Sequence, residues 1–392
     1  MTASPRSEPI VIPGLDIPKA KRYSRIRLAV LLASTVWSIA RLVWFASDHR
    51  AARLKAAIAA KAPDRRLTTP TFVATWALIS WVSSLPSGFL GGYVVERRFG
   101  LTKQSARGWL ADQAKGLLLA LAIQVPLLSG AYAVIRRRPR DWWLVLSGAA
   151  VPLAVALSNL APTFIMPIFN TFTPLGDSAL KERVRALSAR AGVTISDVYE
   201  MDMSRQSEKP NALFTGLGNT KRIVLGDSLL ERFDGDEIEA VVAHELGHQV
   251  RGDVWRLIGF GAAAGFGMAW LLYRLASPVL QRTSRQTGVR RVDDVASLPV
   301  LALLATLIGF ALMPIQAAFS RAIERRADRF ALDLTRDGVA YARTMERLAA
   351  LALADPDPPR LVVLFLYSHP PVADRIRAAR EAQSRLESMA HH

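Results

Sequence analysis

The pattern with the clearest chemical meaning is His244-Glu245-Leu246-Gly247-His248, in which two histidines stand four residues apart. On a helix this spacing places both imidazoles on one face, where they can bind one metal ion. The sequence contains no cysteine, so the ligands must be histidine and carboxylate groups, which zinc accepts. The pattern predicts one Zn²⁺ per chain and Glu245 as general base toward a zinc-activated water. A surface histidine pair without metal is the alternative.

A catalytic zinc ion needs a third protein ligand, and Glu324 is the candidate for this position. It lies in residues 320–328 (SRAIERRAD), just after an apolar stretch that can return the chain to the side of the histidines. Asp328, one turn later, is predicted to orient a ligating imidazole, and Arg321 is predicted to support the ligands from the same segment. The alternative for this segment is a solvated run of mixed charge.

His369 and Arg375 are a further pair with catalytic potential. His369 lies in residues 367–371 (YSHPP), and Arg375 follows in a predicted helix. A histidine and an arginine that converge on a zinc site could stabilise the oxyanion of a tetrahedral intermediate. A histidine before two prolines is also typical of an ordinary turn, so the residues alone leave both interpretations open.

Membrane helices must position these residues. Hydrophobic residues make up 51% of the 392 residues, and a helix needs roughly 20 apolar residues to cross a bilayer core. Uncharged runs of this length are not typical of the alternative, a large soluble helical protein. The predicted fold is a mainly α, polytopic protein of the lipid bilayer with about six transmembrane helices, at residues 28–47, 70–95, 116–135, 142–169, 257–273 and 295–320.

The formal net charge of +17 does not require a nucleic-acid partner. The basic residues lie mostly at the borders of the apolar stretches, as in residues 136–140 (RRRPR). Lysine and arginine at these borders contact anionic lipid head groups. We therefore predict no nucleic-acid binding.

The remaining segments are soluble in character and predict a zinc metalloprotease domain with a small β-sheet. Strands are predicted at 196–203, 212–215 and 222–225, and the helix that carries the histidines begins near Asp234, which can cap it. Further helices are predicted at 180–191, 321–333, 339–353 and 372–389. The chain divides into a poorly ordered basic arm (1–27), a four-helix transmembrane region (28–169), an α/β segment (170–256), a transmembrane hairpin (257–320) and a helical C-terminal part (321–392).

Several sequence blocks, in this order, resemble the CAAX prenyl protease 1 family, membrane zinc metalloproteases that process prenylated proteins. The resemblance covers roughly residues 70–380. The blocks are 96–105 (ERRFGLTKQS), 162–175 (PTFIMPIFNTFTPL), 210–230 (PNALFTGLGNTKRIVLGDSLL), 243–248 (AHELGH), 320–328 (SRAIERRAD) and 368–376 (SHPPVADRI).

The resemblance implies a ring of membrane helices around a water-filled chamber that the zinc domain closes. It implies that Asn211 and Ala212 belong to an edge strand that holds substrate backbone by strand addition. It also implies a role in the site for each candidate: zinc binding by His244, His248 and Glu324, general base catalysis by Glu245, ligand support by Asp328, and lining of the site by His369 and Arg375.

Two features depart from the family. Its eukaryotic members have seven spans, whereas this sequence predicts six, with one lacking before Pro70. By analogy the zinc site faces the cytoplasm, yet the loops 48–69 and 136–140, which would lie on the opposite side, are at least as basic as the inner ones. The alanine- and arginine-rich composition is typical of bacteria, so we expect the protein to lie in a bacterial inner membrane. We also expect it to be a monomer.

The leading functional hypothesis is zinc-dependent endoproteolysis of membrane-associated or prenylated (CAAX-type) peptide or protein substrates. Because CAAX prenylation is not expected in bacteria, one alternative is membrane-protein quality control without prenyl specificity. A second alternative is a zinc transporter or inactive scaffold, but neither needs Glu245 beside its ligands, and residues 28–169 offer almost no ionisable groups for an ion path.

Overall fold

The computed structural model describes residues 10–62, 64–216 and 221–390. Within these ranges six helical segments are long and apolar enough to cross a membrane, which confirms the predicted fold class. The first residues of the predicted basic arm, 1–9, lie outside the described residues. The six segments are Ile17–Ala46, Thr68–Phe99, Ala106–Arg137, Trp142–Phe169, Asp253–Thr287 and Val295–Thr335.

In the described residues up to 169, seven α-helices form the membrane part that precedes the soluble segment. Two of its spans contain a π-helical turn, which joins α3 to α4 at Leu90–Val94 and α6 to α7 at Ala161–Ile165. The helices are α1 (Ile17–Ala46), α2 (Arg50–Lys61), α3 (Thr68–Phe89), α4 (Val95–Phe99), α5 (Ala106–Arg137), α6 (Trp142–Leu160) and α7 (Met166–Phe169).

Helix α1 begins at Ile17, well before the predicted start at residue 28, so the predicted disorder of the arm does not hold from Ile17 onward. Asp16 caps the helix by accepting a hydrogen bond from the Lys19 backbone N–H at 2.9 Å. Tyr23 is buried against the rest of the protein, so a polar stretch of sequence is held by packing rather than by its own hydropathy. Helix α2 lies before Pro70, in the region where the sequence predicts one span fewer than in the family it resembles, and its 12 residues are too few to cross a bilayer.

A four-stranded sheet with the order β1-β2-β4-β3 follows. Strands β2 and β4 are parallel, and β1 and β3 pair antiparallel to them at the two edges. Three of the strands match the predicted ones, whereas β1 is too short and proline-rich to be recognised in the sequence. The strands are β1 (Phe172–Pro174), β2 (Asp197–Met201), β3 (Ala212–Thr215) and β4 (Arg222–Gly226).

Among residues 175–216 and 221–390, eight α-helices lie around and after this sheet. Helices α11 and α12 form the second membrane part, and α10 carries the two histidines. The helices are α8 (Ala179–Arg190), α9 (Asp227–Arg232), α10 (Gly235–Arg251), α11 (Asp253–Thr287), α12 (Leu298–Thr335), α13 (Gly338–Ala352), α14 (Arg360–Leu366) and α15 (Val372–Ala390).

The predicted limits of the last membrane hairpin are wrong in two respects. Helix α11 runs from Asp253 to Thr287, well beyond the predicted span 257–273. Helix α12 continues through residue 320 without a break, so one helix contains both the membrane span and Glu324. The charged run does not end the helix because Ile323, Ala327 and Ala331 recur at helical spacing and are buried.

Candidate metal centre and active site

Helix α10 holds the histidine pair in a fixed orientation. Its N-terminus is closed by a capping box between Asp234 and Glu237, and Gly252 ends it in the left-handed conformation with φ 64°. His244 and His248 lie one turn apart on the same side, with their Nε2 atoms 3.2 Å from each other. The spacing in the sequence thus produces the shared face that was predicted for two metal ligands.

Helix α12 brings Glu324 to this pair because the two helices pack with their backbones close together. Gly247, inside the histidine motif, faces Ala327, and a Cβ atom at Gly247 would lie only 3.1 Å from the Ala327 Cα. The absence of a side chain at Gly247 therefore sets the distance between α10 and α12. Glu324 Oε2 lies 3.2 Å from His244 Nε2, and Glu324 Oε1 lies 3.7 Å from His248 Nε2.

The donor set and its spacing fit a zinc ion. One ligand atom from each of His244, His248 and Glu324 lies within 4.8 Å of the others. Ligands at zinc–nitrogen distances of about 2.0–2.1 Å stand about 3.3 Å apart in a tetrahedron, close to the 3.2 Å separations of His244 Nε2 from the other two ligands. Glu324 Oε2 is buried without a hydrogen-bond partner, as expected for an atom whose partner is a metal.

A second layer of carboxylates faces the other nitrogen of each imidazole. His244 Nδ1 lies 2.9 Å from Asp328 Oδ1, and His248 Nδ1 lies 3.0 Å from Asp253 Oδ2. Such carboxylates fix the tautomer and the ring orientation of a metal ligand. Asp328 was predicted at this position. Asp253 was missed, although its place directly after the glycine that ends α10 is a usable sequence signal.

Asp328 is itself held by two further side chains. Arg375 binds it with both Nε and a terminal nitrogen, at 3.0 and 2.6 Å, and the Tyr341 hydroxyl donates to it at 2.6 Å. Tyr341 is fully buried, and this burial raises the pKa of its hydroxyl, so it remains a donor. The sequence predicted that Arg375 could stabilise the oxyanion of the substrate. In the structure its guanidinium instead donates to the Asp328 carboxylate.

The environment of His244 favours a positive charge. Burial lowers the pKa of His244, but the adjacent carboxylates of Asp328 and Glu324 outweigh this effect and raise the pKa to about 9. The site therefore stabilises a cation at the imidazole, as a carboxylate-rich metal centre does.

Glu245 lies between the histidines, on the side of the sheet. The backbone N–H of Phe214 in β3 lies on this side and favours the charged form of the carboxylate. Burial raises the pKa of Glu245, although the two histidines oppose this. A carboxylate with a raised pKa is a more effective proton acceptor near neutral pH.

His369 also reaches the cluster, with its Nε2 atom 3.3 Å from Glu324 Oε2. Its ring is half exposed, with 56% of the side chain accessible, so it borders the open side of the site. Arg321 does not face the ligands: it donates to the carbonyls of Val363 and Tyr367, at 2.7 and 2.8 Å. Arg321 thus holds the segment that leads to His369.

Asn211 and Ala212 lie where the edge strand β3 begins. The Asn211 carbonyl accepts from the Gly226 N–H of β4 at 2.9 Å, and its side chain accepts from the Ala212 N–H at 3.0 Å. Since backbone groups alternate along a strand, the N–H and C=O of Ala212 and Phe214 point away from β4. This free edge lies beside Glu245.

Comparison with known proteins gives consistent matches over nearly the whole chain. Residues 174–383 match the family described as Peptidase family M48. Residues 10–171 match the domain described as CAAX prenyl protease N-terminal, five membrane helices. In this region the described residues contain four candidate spans.

Individual relatives and a solved structure agree with these matches. The chain is 32% identical to an uncharacterized metalloprotease, YhfN, of Bacillus subtilis, over 86% of this chain and 78% of the relative. It is 30% identical to CAAX prenyl protease 1 of Saccharomyces cerevisiae, over 92% of this chain and 84% of that protein. The crystal structure of S. mikatae Ste24p superposes with a TM-score of 0.84, at 26% identity, over 96% of this chain and 92% of the other.

The membrane helices, the small sheet and the His-His-Glu group together define a multi-pass membrane zinc metalloprotease. The chain belongs to peptidase family M48, and its predicted resemblance to the CAAX prenyl protease 1 family is confirmed.

Proposed function

We propose that the protein is a zinc-dependent endopeptidase that cleaves extended segments of membrane-associated peptides or proteins, with Glu245 as general base. The observation that carries this proposal is the position of Glu245. It stands between two histidines that share a metal-binding face, and beside a free strand edge. A transporter or scaffold would need neither the base nor the edge.

In this proposal His244, His248 and Glu324 hold one zinc ion per chain, which when bound would acidify a water molecule and polarise the scissile carbonyl. Glu245 accepts the proton from the attacking water and returns it to the leaving amine. His369 borders the open side of the site, where its imidazole can donate to the developing oxyanion. Arg375 acts through Asp328 by keeping that carboxylate against His244.

Substrate backbone pairs with β3 in this proposal. The Ala212 C=O can pair with an extended peptide as a further strand, and the Ala212 N–H can do so once it exchanges the Asn211 side chain, which holds it in this structure, for the peptide. An extended substrate laid along β3 passes Glu245, because the Phe214 N–H lies on the side of that carboxylate. Strand addition suits an enzyme that recognises an extended backbone rather than one particular side chain.

For the substrate class, the similarity to yeast CAAX prenyl protease 1 supports prenylated CAAX peptides as competent substrates. Membrane-protein quality control without prenyl specificity is the second candidate, supported by the similarity to a bacterial metalloprotease. We further propose a monomer in a bacterial inner membrane with the zinc domain on the cytoplasmic side.

The test compares purified wild type with Glu245→Gln, measuring bound zinc and cleavage of a farnesylated and an unfarnesylated peptide of the same sequence. We expect equal zinc in both proteins and a loss of turnover in the variant of about a thousandfold or more, because proton transfer loses its acceptor. Undiminished cleavage by the variant would contradict the role of Glu245. Equal cleavage of both peptides by wild type would favour quality control.

A further inference from the structure

The block at residues 96–105 has no part in the catalytic proposal, yet it makes ordered contacts next to the site. Its first four residues end the spanning segment Thr68–Phe99, and the rest of it lies against residues 203–211, which lead into the edge strand β3. The Thr102 hydroxyl donates to the Gln206 carbonyl at 2.8 Å, and the Glu208 N–H donates to the Leu101 carbonyl at 3.0 Å. The turn that directly follows a membrane helix is thus hydrogen-bonded to the loop before β3.

Glu96 is the charged centre of this junction. Its carboxylate accepts from the Tyr23 hydroxyl at 2.6 Å and from Lys209 Nζ at 3.0 Å, and Arg27 lies 3.5 Å away. The Glu96 side chain is only 12% exposed, so these contacts are partly shielded from solvent. Three parts of the chain meet there: helix α1, helix α4 and the loop before β3.

Lys209 connects this junction to β3 through a very short stretch of chain. Only Pro210 and Asn211 separate it from the first strand residue, Ala212. Proline fixes its own φ, so this connection has little freedom to absorb a displacement. On its other side β3 pairs with β4 alone, since it is the edge strand.

We propose that Glu96 and Lys209 are positioning residues that hold β3 in register with Glu245 from the membrane helices α1 and α4, and thereby set the affinity for extended substrates. The inference rests on the proposed function, because it takes β3 as the strand that pairs with substrate. A displaced β3 would weaken backbone pairing in the ground state and transition state alike, which raises KM rather than lowering kcat.

The kinetic test uses the zinc-loaded full-length enzyme and its Lys209→Gln and Glu96→Gln variants. The substrates are two farnesylated CAAX peptides, one with an extended segment before the scissile bond and one without it. For the long peptide we expect KM to rise about fivefold, the upper size expected for losing one partly exposed ion pair, with little change in kcat. For the short peptide we expect no change. In the double variant, KM for the long peptide should rise no further than in the more affected single variant, because the two substitutions break the same contact.

Lys55→Gln is the matched control. Lys55 pairs with Asp294 at 2.7 Å and is about as exposed as Lys209, at 38% against 35%, but it joins α2 to the loop before α12. The Lys55→Gln substitution should leave KM unchanged for both peptides. Equal losses for the long and short peptides in Lys209→Gln would show a general structural effect and overturn the inference, as would unchanged KM for both.

Hydrogen exchange tests the same inference without any substrate. The amides of residues 212–215 should exchange faster in Lys209→Gln than in wild type or Lys55→Gln, while those of α10 stay unchanged. Unchanged exchange at 212–215 would overturn the positioning role by itself. Failure of the proposed function has a different signature, namely cleavage by Glu245→Gln at the wild-type rate.

Discussion

A buried carboxylate lies near each end of helix α10, one from α10 itself and one from α12, and the two carboxylates are compensated differently. At the N-terminus, Glu237 is fully buried and binds Arg343 at 3.2 Å and Arg347 at 2.5 Å, both from α13. At the C-terminal half, Glu324 of α12 meets only imidazoles, and one of its oxygens has no hydrogen-bond partner. A buried charge that the protein satisfies completely has a structural role, whereas an incompletely satisfied one is suited to an external cation.

The two carboxylates also stabilise different helix contacts. Arginine carries its positive charge at every physiological pH, so the contact between α10 and α13 is permanent. Neutral imidazoles supply no charge, so the contact between α10 and α12 depends on a metal or a proton. Substitutions at the two ends should therefore differ in kind, and the following predictions run from the largest expected effect on zinc binding to the smallest.

Glu324→Gln should have the largest effect. Replacing the carboxylate by an amide removes a charged ligand, so we expect zinc to be lost on dialysis against a weak chelator and cleavage to fall by at least about a thousandfold. Zinc content by atomic absorption, measured together with cleavage of the farnesylated peptide, checks this. A variant that keeps stoichiometric zinc would show that Glu324 is not a ligand.

Asp328→Asn should have an intermediate effect. The asparagine can still accept from Tyr341 but cannot pair with Arg375 as a charge, so His244 loses the group that orients it. Outer carboxylates of this kind contribute about 10–100-fold to metal affinity. A competition titration with a fluorescent chelator measures the change. Tyr341→Phe, which keeps the carboxylate, is the matched control and should weaken zinc binding less.

Sequence patterns predicted the parts of this site that are local and left out those that depend on packing. The histidine spacing and the charged run at Glu324 indicate a zinc site because each pattern stands on one helix. Tyr341 is a single residue without a recurring pattern, and only the folded chain brings it to Asp328. Asp253 has a local signal in its place after Gly252, but only the folded chain shows that it faces His248. The continuity of α12 was missed for a related reason: a run of charges suggests a boundary, but Ile323 and Ala327 within it are buried, and Ala327 packs against Gly247 of α10.

Zinc affinity should depend on pH through His244. After zinc removal the imidazole has a pKa of about 9, so it is protonated at pH 7, and zinc must displace this proton. Zinc affinity therefore rises with pH, by about tenfold per pH unit until the pH approaches 9. Chelator competition at pH 7 and pH 8 measures the slope, which should be smaller in Asp328→Asn because that variant lacks the carboxylate that raises the pKa. An affinity independent of pH would contradict the protonated state of His244.

Glu237→Gln should have the smallest effect on zinc and a clear effect on stability. The substitution weakens the capping box and leaves Arg347 without its carboxylate, whereas Arg343 keeps its pair with Asp234; both arginines are more than 40% exposed and can be hydrated. We therefore expect a loss of about 1–3 kcal/mol, below the 3–5 kcal/mol typical of a fully buried pair. Thermal unfolding in detergent should show a lower midpoint, while zinc stoichiometry and kcat per folded molecule remain at the wild-type level. If zinc affinity fell as far as in Asp328→Asn, the two ends of α10 would be one coupled unit, and the distinction between a structural and a metal-binding carboxylate would not hold.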